Sequence, residues 1–148
     1  MDDETIPTLP SIEDTPPLLT QADLHWYWRA LMGELGFSRR RLWMIFFEPD
    51  GRPVPHVTTI DDVPEHPEPA EVASLLTICA EVCRQQGMSR VAVLLSRPGG
   101  AGVRPSDRRW ASALLVAARD ARVPFAPVHL ANDDEVRPLT GDDLLATG

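Results

Sequence analysis

The sequence predicts an α/β (α+β) domain: a mixed central β-sheet with an N-terminal β-hairpin and helices packed on both faces. Three observations carry this. The run Val91-Ala92-Val93-Leu94-Leu95 is apolar without alternation, as in a strand covered on both sides. Two helical stretches flank it, Glu68 to Gln86 and Ser106 to Arg122. Upstream, Pro49-Asp50-Gly51 separates two strand-like runs and predicts a tight hairpin. A chain of 148 residues suits one core and one domain.

Residues 1–19 hold Pro7, Pro10, Pro16 and Pro17, five acids and no base. They read as a disordered acidic tail, draped at most over a domain spanning 20–148. Thr20, with Asp23 three residues on, has the pattern of a capping box and opens a first helix that ends near Gly36. Leu24, Tyr27, Trp28, Leu31 and Leu35 share one stripe of it, and Trp26, Ala30 and Met32 fall elsewhere. A helix apolar on more than one face is deeply buried or shared with a partner. Trp and Tyr anchor interfaces because they bury much area with few rotatable bonds. Trp26, Tyr27, Trp28 and Met32 are therefore the candidate interface.

Arg41 to Glu48 and Val54 to Ile60 are the hairpin strands, and Asp61 to Pro69 is an acidic, Pro-broken loop. The helix from Glu68 turns Val72, Leu75, Leu76, Cys79, Val82 and Cys83 inward and stops at Gly87. The central strand runs Val91 to Ser96. After the loop Pro98-Gly99-Gly100-Ala101-Gly102, Ser106 is expected to cap a helix that buries Trp110, Ala113, Leu114, Ala117, Ala118 and Ala121. Pro124 to Leu130 reads as a strand, Asn132-Asp133-Asp134-Glu135 as a polar turn, and Val136 to Leu139 as a last short strand. Thr140 with Asp142 and Asp143 suits a terminal half-turn. The order is α-β-β-α-β-α-β-β.

Composition excludes several functions. A formal charge of −8 disfavours nucleic acid and anionic membrane surfaces. All 14 basic residues are Arg, so Schiff-base chemistry and a lysine-bearing phosphate loop are absent. No apolar stretch has the length of a bilayer span, and the acidic start MDDETIPTLP is unlike a secretory signal, so a cytoplasmic location is expected. Cys79 and Cys83, four apart, suit a shared buried helix face better than a disulfide, and two thiols fall short of a structural zinc site. His25, His56, His66 and His129 show no metal-ligand spacing, and Ser96 lacks a nucleophile elbow.

In α/β proteins chemistry concentrates past the carboxyl end of a central strand. Here that place carries Arg97, Gly99, Gly100, Arg104, Ser106 and Arg109. Backbone N–H groups, a helix start and guanidiniums offer one reading, an anion site. The other is a structural loop whose Arg97, Arg104, Arg108 and Arg109 pair internally, with Asp107 among the available acids.

The order of elements and the local sequence resemble the JAB/MPN domain, in particular its bacterial RadC-like branch, over Thr20 to Leu139. The likeness is carried by the hairpin ending in Gly51-Arg52, the step Arg97-Pro98-Gly99-Gly100, the pair Pro105-Ser106, and the strand opening Val123-Pro124. It implies a three-layer fold of the cytidine-deaminase-like kind. In active members, a His-x-His-Pro motif and an Asp after the Pro-Ser step hold zinc, and a Glu near the first strand is the general base. Leu95 and Arg97 stand at the two His positions, Arg109 at the Asp position, and Arg40 nearest the Glu. Asp107 lies close in sequence but on a different face of the helix. The resemblance thus implies the fold and denies the hydrolysis. The expected protein is not an enzyme and has no metal and no cofactor. It works through protein contacts, as a homodimer with a further protein partner, and the alternative is a sensor of a small ligand or anion using the loop 97–106.

Overall fold

The strand β3, Arg90–Ser96, lies at the centre of a five-stranded sheet. In the computed structural model, which describes residues 15–100 and 102–139, the elements run α1 Gln21–Met32, β1 Arg41–Phe47, β2 Pro53–Asp61, α2 Pro69–Gln86, β3, α3 Pro105–Ala121, β4 His129–Ala131 and β5 Val136–Pro138. The strand order is β2-β1-β3-β4-β5. Only β3 and β4 run parallel, and the other neighbouring pairs are antiparallel, so the sheet is mixed as expected.

Strand alternation sorts the core into two layers. Val91, Val93 and Leu95 pack with Leu42 and Met44 under α2 and α3. Ala92 and Leu94 pack with Ile45, Phe47 and Ala131 under α1. Every residue from Val91 to Leu95 is fully buried, which is why the run shows no polar alternation. Helices therefore cover both faces.

Local chemistry explains the boundaries. Thr20 Oγ1 accepts from the Asp23 N–H at 3.0 Å, and the Asp23 carboxylate accepts from the Thr20 N–H at 3.2 Å, completing the capping box. Helix α1 stops at Met32, one turn before the expected Gly36, because Gly33 takes φ +63°. Gly51, at φ +90°, closes the hairpin turn, where Gly51 N–H donates to the Glu48 carbonyl. Gly87 in the left-handed conformation ends α2.

Four further expectations are corrected. The domain begins earlier than residue 20: Thr15 and Leu18 are buried, and Leu18 N–H donates to the Gly51 carbonyl at 2.8 Å. The remainder of the expected tail, 1–14, lies outside the described residues, as does the half-turn placed on Thr140, Asp142 and Asp143. The strand expected over Pro124 to Leu130 is a single bridge, Val91 to Phe125, followed by the short β4. Pro124 and Pro127 have no N–H and interrupt that ladder.

The candidate interface is mostly core. Tyr27, Trp28 and Met32 are buried on the sheet, and Trp28 is 0% exposed. Of the four residues, Trp26 alone stays at the surface, 36% exposed. Among the described residues α1 is the one helix on its sheet face, so it needs an apolar surface wider than one stripe. Finally, Ser106 does not cap α3. Arg104 occupies the N-cap and Pro105 the first helical position.

Cys79 and Cys83 are free thiols buried in the layer under α2 and α3, and Cys79 lies 3.8 Å from the Met44 sulfur. Burial, reinforced by neighbouring Cys83, pushes the Cys79 thiol up to about 11, so it is an unreactive core group at neutral pH. Among the described residues, no helix is long and apolar enough to cross a membrane.

Candidate functional site

The strand-end site is built by β3, the loop that follows it, the start of α3 and the 132–135 turn. Strand parity directs Arg97 to the same face as Leu95, toward α3. There it is 0% exposed, as is Asp107 from the first turn of α3. The contact is bidentate: Arg97 Nε donates to Asp107 Oδ1 at 2.8 Å, and Arg97 Nη2 to Asp107 Oδ2 at 2.8 Å. Three loop carbonyls accept the remaining N–H groups. Nη1 donates to Pro98 O at 3.2 Å and Gly100 O at 3.4 Å, and Nη2 to Gly102 O at 3.1 Å. All five guanidinium donors thus have acceptors, as a buried charge requires.

Asp107 has a second task. Its Oδ2 accepts from the Arg104 backbone N–H at 2.8 Å, satisfying one of the orphan donors at the start of α3. One carboxylate therefore neutralises Arg97 and caps the helix. The loop is pinned from its other side by the polar turn. Asn132 Oδ1 accepts from the N–H groups of Asp134 and Glu135, both at 2.9 Å, which shapes the turn. Asp133 Oδ2 then accepts from Gly99 N–H at 2.9 Å, and Asn132 Nδ2 donates to Gly102 O at 3.3 Å.

The expected anion site is not assembled. Arg97 and Ser106 are buried, and the Gly99 N–H is taken by Asp133. The carbonyls of Pro98, Gly100 and Gly102 turn toward Arg97 and take its donors, so the guanidinium has none left for an anion. Gly100 and Arg104 are exposed, with the Arg104 guanidinium lying over Gly99. Arg109 points away, its Nη1 3.2 Å from His66 Nδ1, and Arg108 donates to Val103 O. The four arginines do not act as a cluster. Internal pairing holds where Arg97 meets Asp107.

The positions that would carry zinc in the family resembled do not fit the ion. Leu95 is buried in the core, Arg97 is bound to Asp107, Arg109 is exposed against His66, and Arg40 is half-buried with no carboxylate on it among the described residues. Asp107, which helical rotation turns away from the Arg109 face, is the acid that meets Arg97 at the strand end. Among the described residues, no three His, Cys, Asp or Glu side chains gather as a metal-ligand group.

A second buried polar centre escaped sequence reading. His129, 0% exposed on β4, faces His25 of α1 with ring centroids 6.0 Å apart. His25 Nε2 lies 2.8 Å from the Val136 carbonyl. His129 Nδ1 lies 3.2 Å from the Pro127 carbonyl, and its Nε2 meets no hydrogen-bond partner among the described residues. Burial first, and the nearby His25 second, push the His129 imidazole down to about 4, outweighing the Pro127 carbonyl that acts upward. Nothing in the spacing of the two histidines along the chain marks them as neighbours. Compared with known proteins, the chain matches no family model and no curated protein sequence.

Proposed function

We propose that this protein is a catalytically inactive domain of the JAB/MPN type, resembling the RadC-like branch, that acts as a scaffold or regulator through protein contacts. The observation that supports the reading is the Arg97–Asp107 pair. It fills, with a buried and fully hydrogen-bonded guanidinium, the place past β3 where the active family carries its metal ligands. A dication there would have to displace a fixed positive charge. The two free buried thiols accord with a reducing, cytoplasmic setting. Trp26, with 36% of its surface open, is the aromatic that α1 leaves for a homodimer contact.

The test joins two measurements on the purified chain. Elemental analysis and zinc titration are expected to give no stoichiometric metal and no shift in melting temperature. Light scattering is expected to give a dimer that Trp26→Arg converts to monomer. Stoichiometric zinc coupled to peptide or isopeptide hydrolysis would overturn the reading.

A further inference from the structure

A cleft of about 220 Å³ lies between β2, the 62–68 segment, α2 and Trp110 of α3. Its floor is apolar: Ile60, Val63, Val72, Leu75 and Trp110 line it. Its mouth is acidic, with Asp61, Asp62, Glu68 and Glu71 around it. The walls are held in place. Trp110 Nε1 donates to the carbonyls of Pro64 and Glu65 at 3.0 and 3.1 Å, and Asp62 turns the chain at φ +57°, a conformation rare outside glycine.

The four carboxylates are not equivalent. Asp61 is paired with Arg41 at 2.5 Å, and Asp62 lies 3.5 Å from Arg39. Glu68 and Glu71 are exposed and have no cationic partner among the described residues. Two unneutralised carboxylates therefore sit beside an apolar depression. Water satisfies the carboxylates but not the floor, and a cation alone satisfies the carboxylates but leaves the floor wet. The complementary occupant has an apolar side chain with positive charge on either side.

The strand next to the cleft favours an extended occupant. β2 is an edge strand whose outer side no described strand pairs. Pro53 and Pro55 block the first half of that edge, and Thr58 to Asp61, which runs into the cleft, contains no proline. We propose that the cleft between β2 and α2 is a docking site for a short extended segment of a partner protein, an apolar anchor flanked by arginine or lysine. This deepens the protein-contact reading above and rests on it.

Calorimetric titration of the full chain tests it with three synthetic hexapeptides. Arg-Arg-Leu-Phe-Arg-Arg is expected to bind at least about 10-fold tighter than Arg-Arg-Ser-Ser-Arg-Arg or Glu-Glu-Leu-Phe-Glu-Glu. Because Glu68 and Glu71 are exposed, the double variant Glu68→Arg/Glu71→Arg should fold normally. It should lose that preference and gain affinity for the acidic peptide. Leu75→Glu should abolish binding of the basic apolar peptide. Equal binding of the two basic peptides, an unchanged preference in the double variant, or no binding at all overturns the proposal. So does phenethylammonium binding as tightly as the peptide, which would make the site one for small amines. These outcomes are separable from the test of function: a zinc hydrolase could still bind the peptide, and a metal-free dimer could fail to.

Discussion

Two polar centres are buried on opposite faces of the same sheet, and they are stabilised in opposite ways. Arg97 and Asp107, under α3, form a buried ion pair in which every guanidinium N–H has an acceptor. His129, under α1, keeps one ring nitrogen unpartnered among the described residues and stays neutral. A guanidinium cannot shed its charge, so burial forces the chain to build acceptors around it. An imidazole can give up its proton, so it tolerates a poorer site. The first centre is therefore sensitive to removal of a partner, and the second to pH.

The largest effect should come from breaking the charged centre. Asp107→Ala leaves Arg97 buried and uncompensated, and should lower unfolding free energy by about 3–5 kcal/mol in urea denaturation. Removing both charges, Arg97→Met with Asp107→Leu, should recover part of that loss. The recovery stays incomplete at about 1–3 kcal/mol below the parent, because the carbonyls of Pro98, Gly100 and Gly102 lose their donor. A single variant as stable as the parent would break the comparison.

Next in size is the neutral centre. The folded protein holds His129 at about 4, below its ordinary 6.5, so the unfolded chain binds the proton more readily. Stability from this residue is complete above about pH 6.5 and is lost as pH falls through the window down to about 4. The loss reaches about 3 kcal/mol at its limit. Urea midpoints from pH 7.5 to 4 should show it, and His129→Gln should flatten that part of the slope. An identical slope in the variant would place the pH dependence elsewhere.

Two smaller changes sharpen the contrast between a loop that serves a charge and a helix end that serves itself. Gly102 sits at φ +88° with open space where a Cβ would be. Gly102→Ala therefore carries backbone strain alone, about 1 kcal/mol, and shifts a carbonyl that Arg97 uses. Its effect should shrink in the Arg97→Met/Asp107→Leu background. Thr20→Ala removes the cap of α1 and should cost about 1 kcal/mol irrespective of that background.

Much of the fold was legible. The element order, the hairpin turn at Gly51 and the stops at Ser96 and Gly87 follow from short-range patterns that match the structure. The errors are also physical. Aromatic type and apolar residues on more than one face of α1 point Tyr27, Trp28 and Met32 toward an interface, yet all three are buried on the sheet, where α1 is the one helix among the described residues. Residue type favours Ser106 as the cap, while Asp107 reaches back to the Arg104 N–H. The sequence of loop 97–106 displays its donors, but not that the carbonyls of Pro98, Gly100 and Gly102 face inward. The acidic loop was visible as a composition, but not as the mouth of an apolar cleft, since Ile60, Val72 and Trp110 come from three separate elements.

Periodicity, capping and turn chemistry act within a few residues of the chain, where backbone geometry sets the outcome. They were sufficient for eight elements in their order and for a sheet covered on both sides. The partners of Arg97, the meeting of His25 with His129, and the cleft beside Trp110 were decided only by tertiary packing. Each joins groups from separate elements, and their contact depends on how strands and helices are laid side by side, which no local pattern encodes.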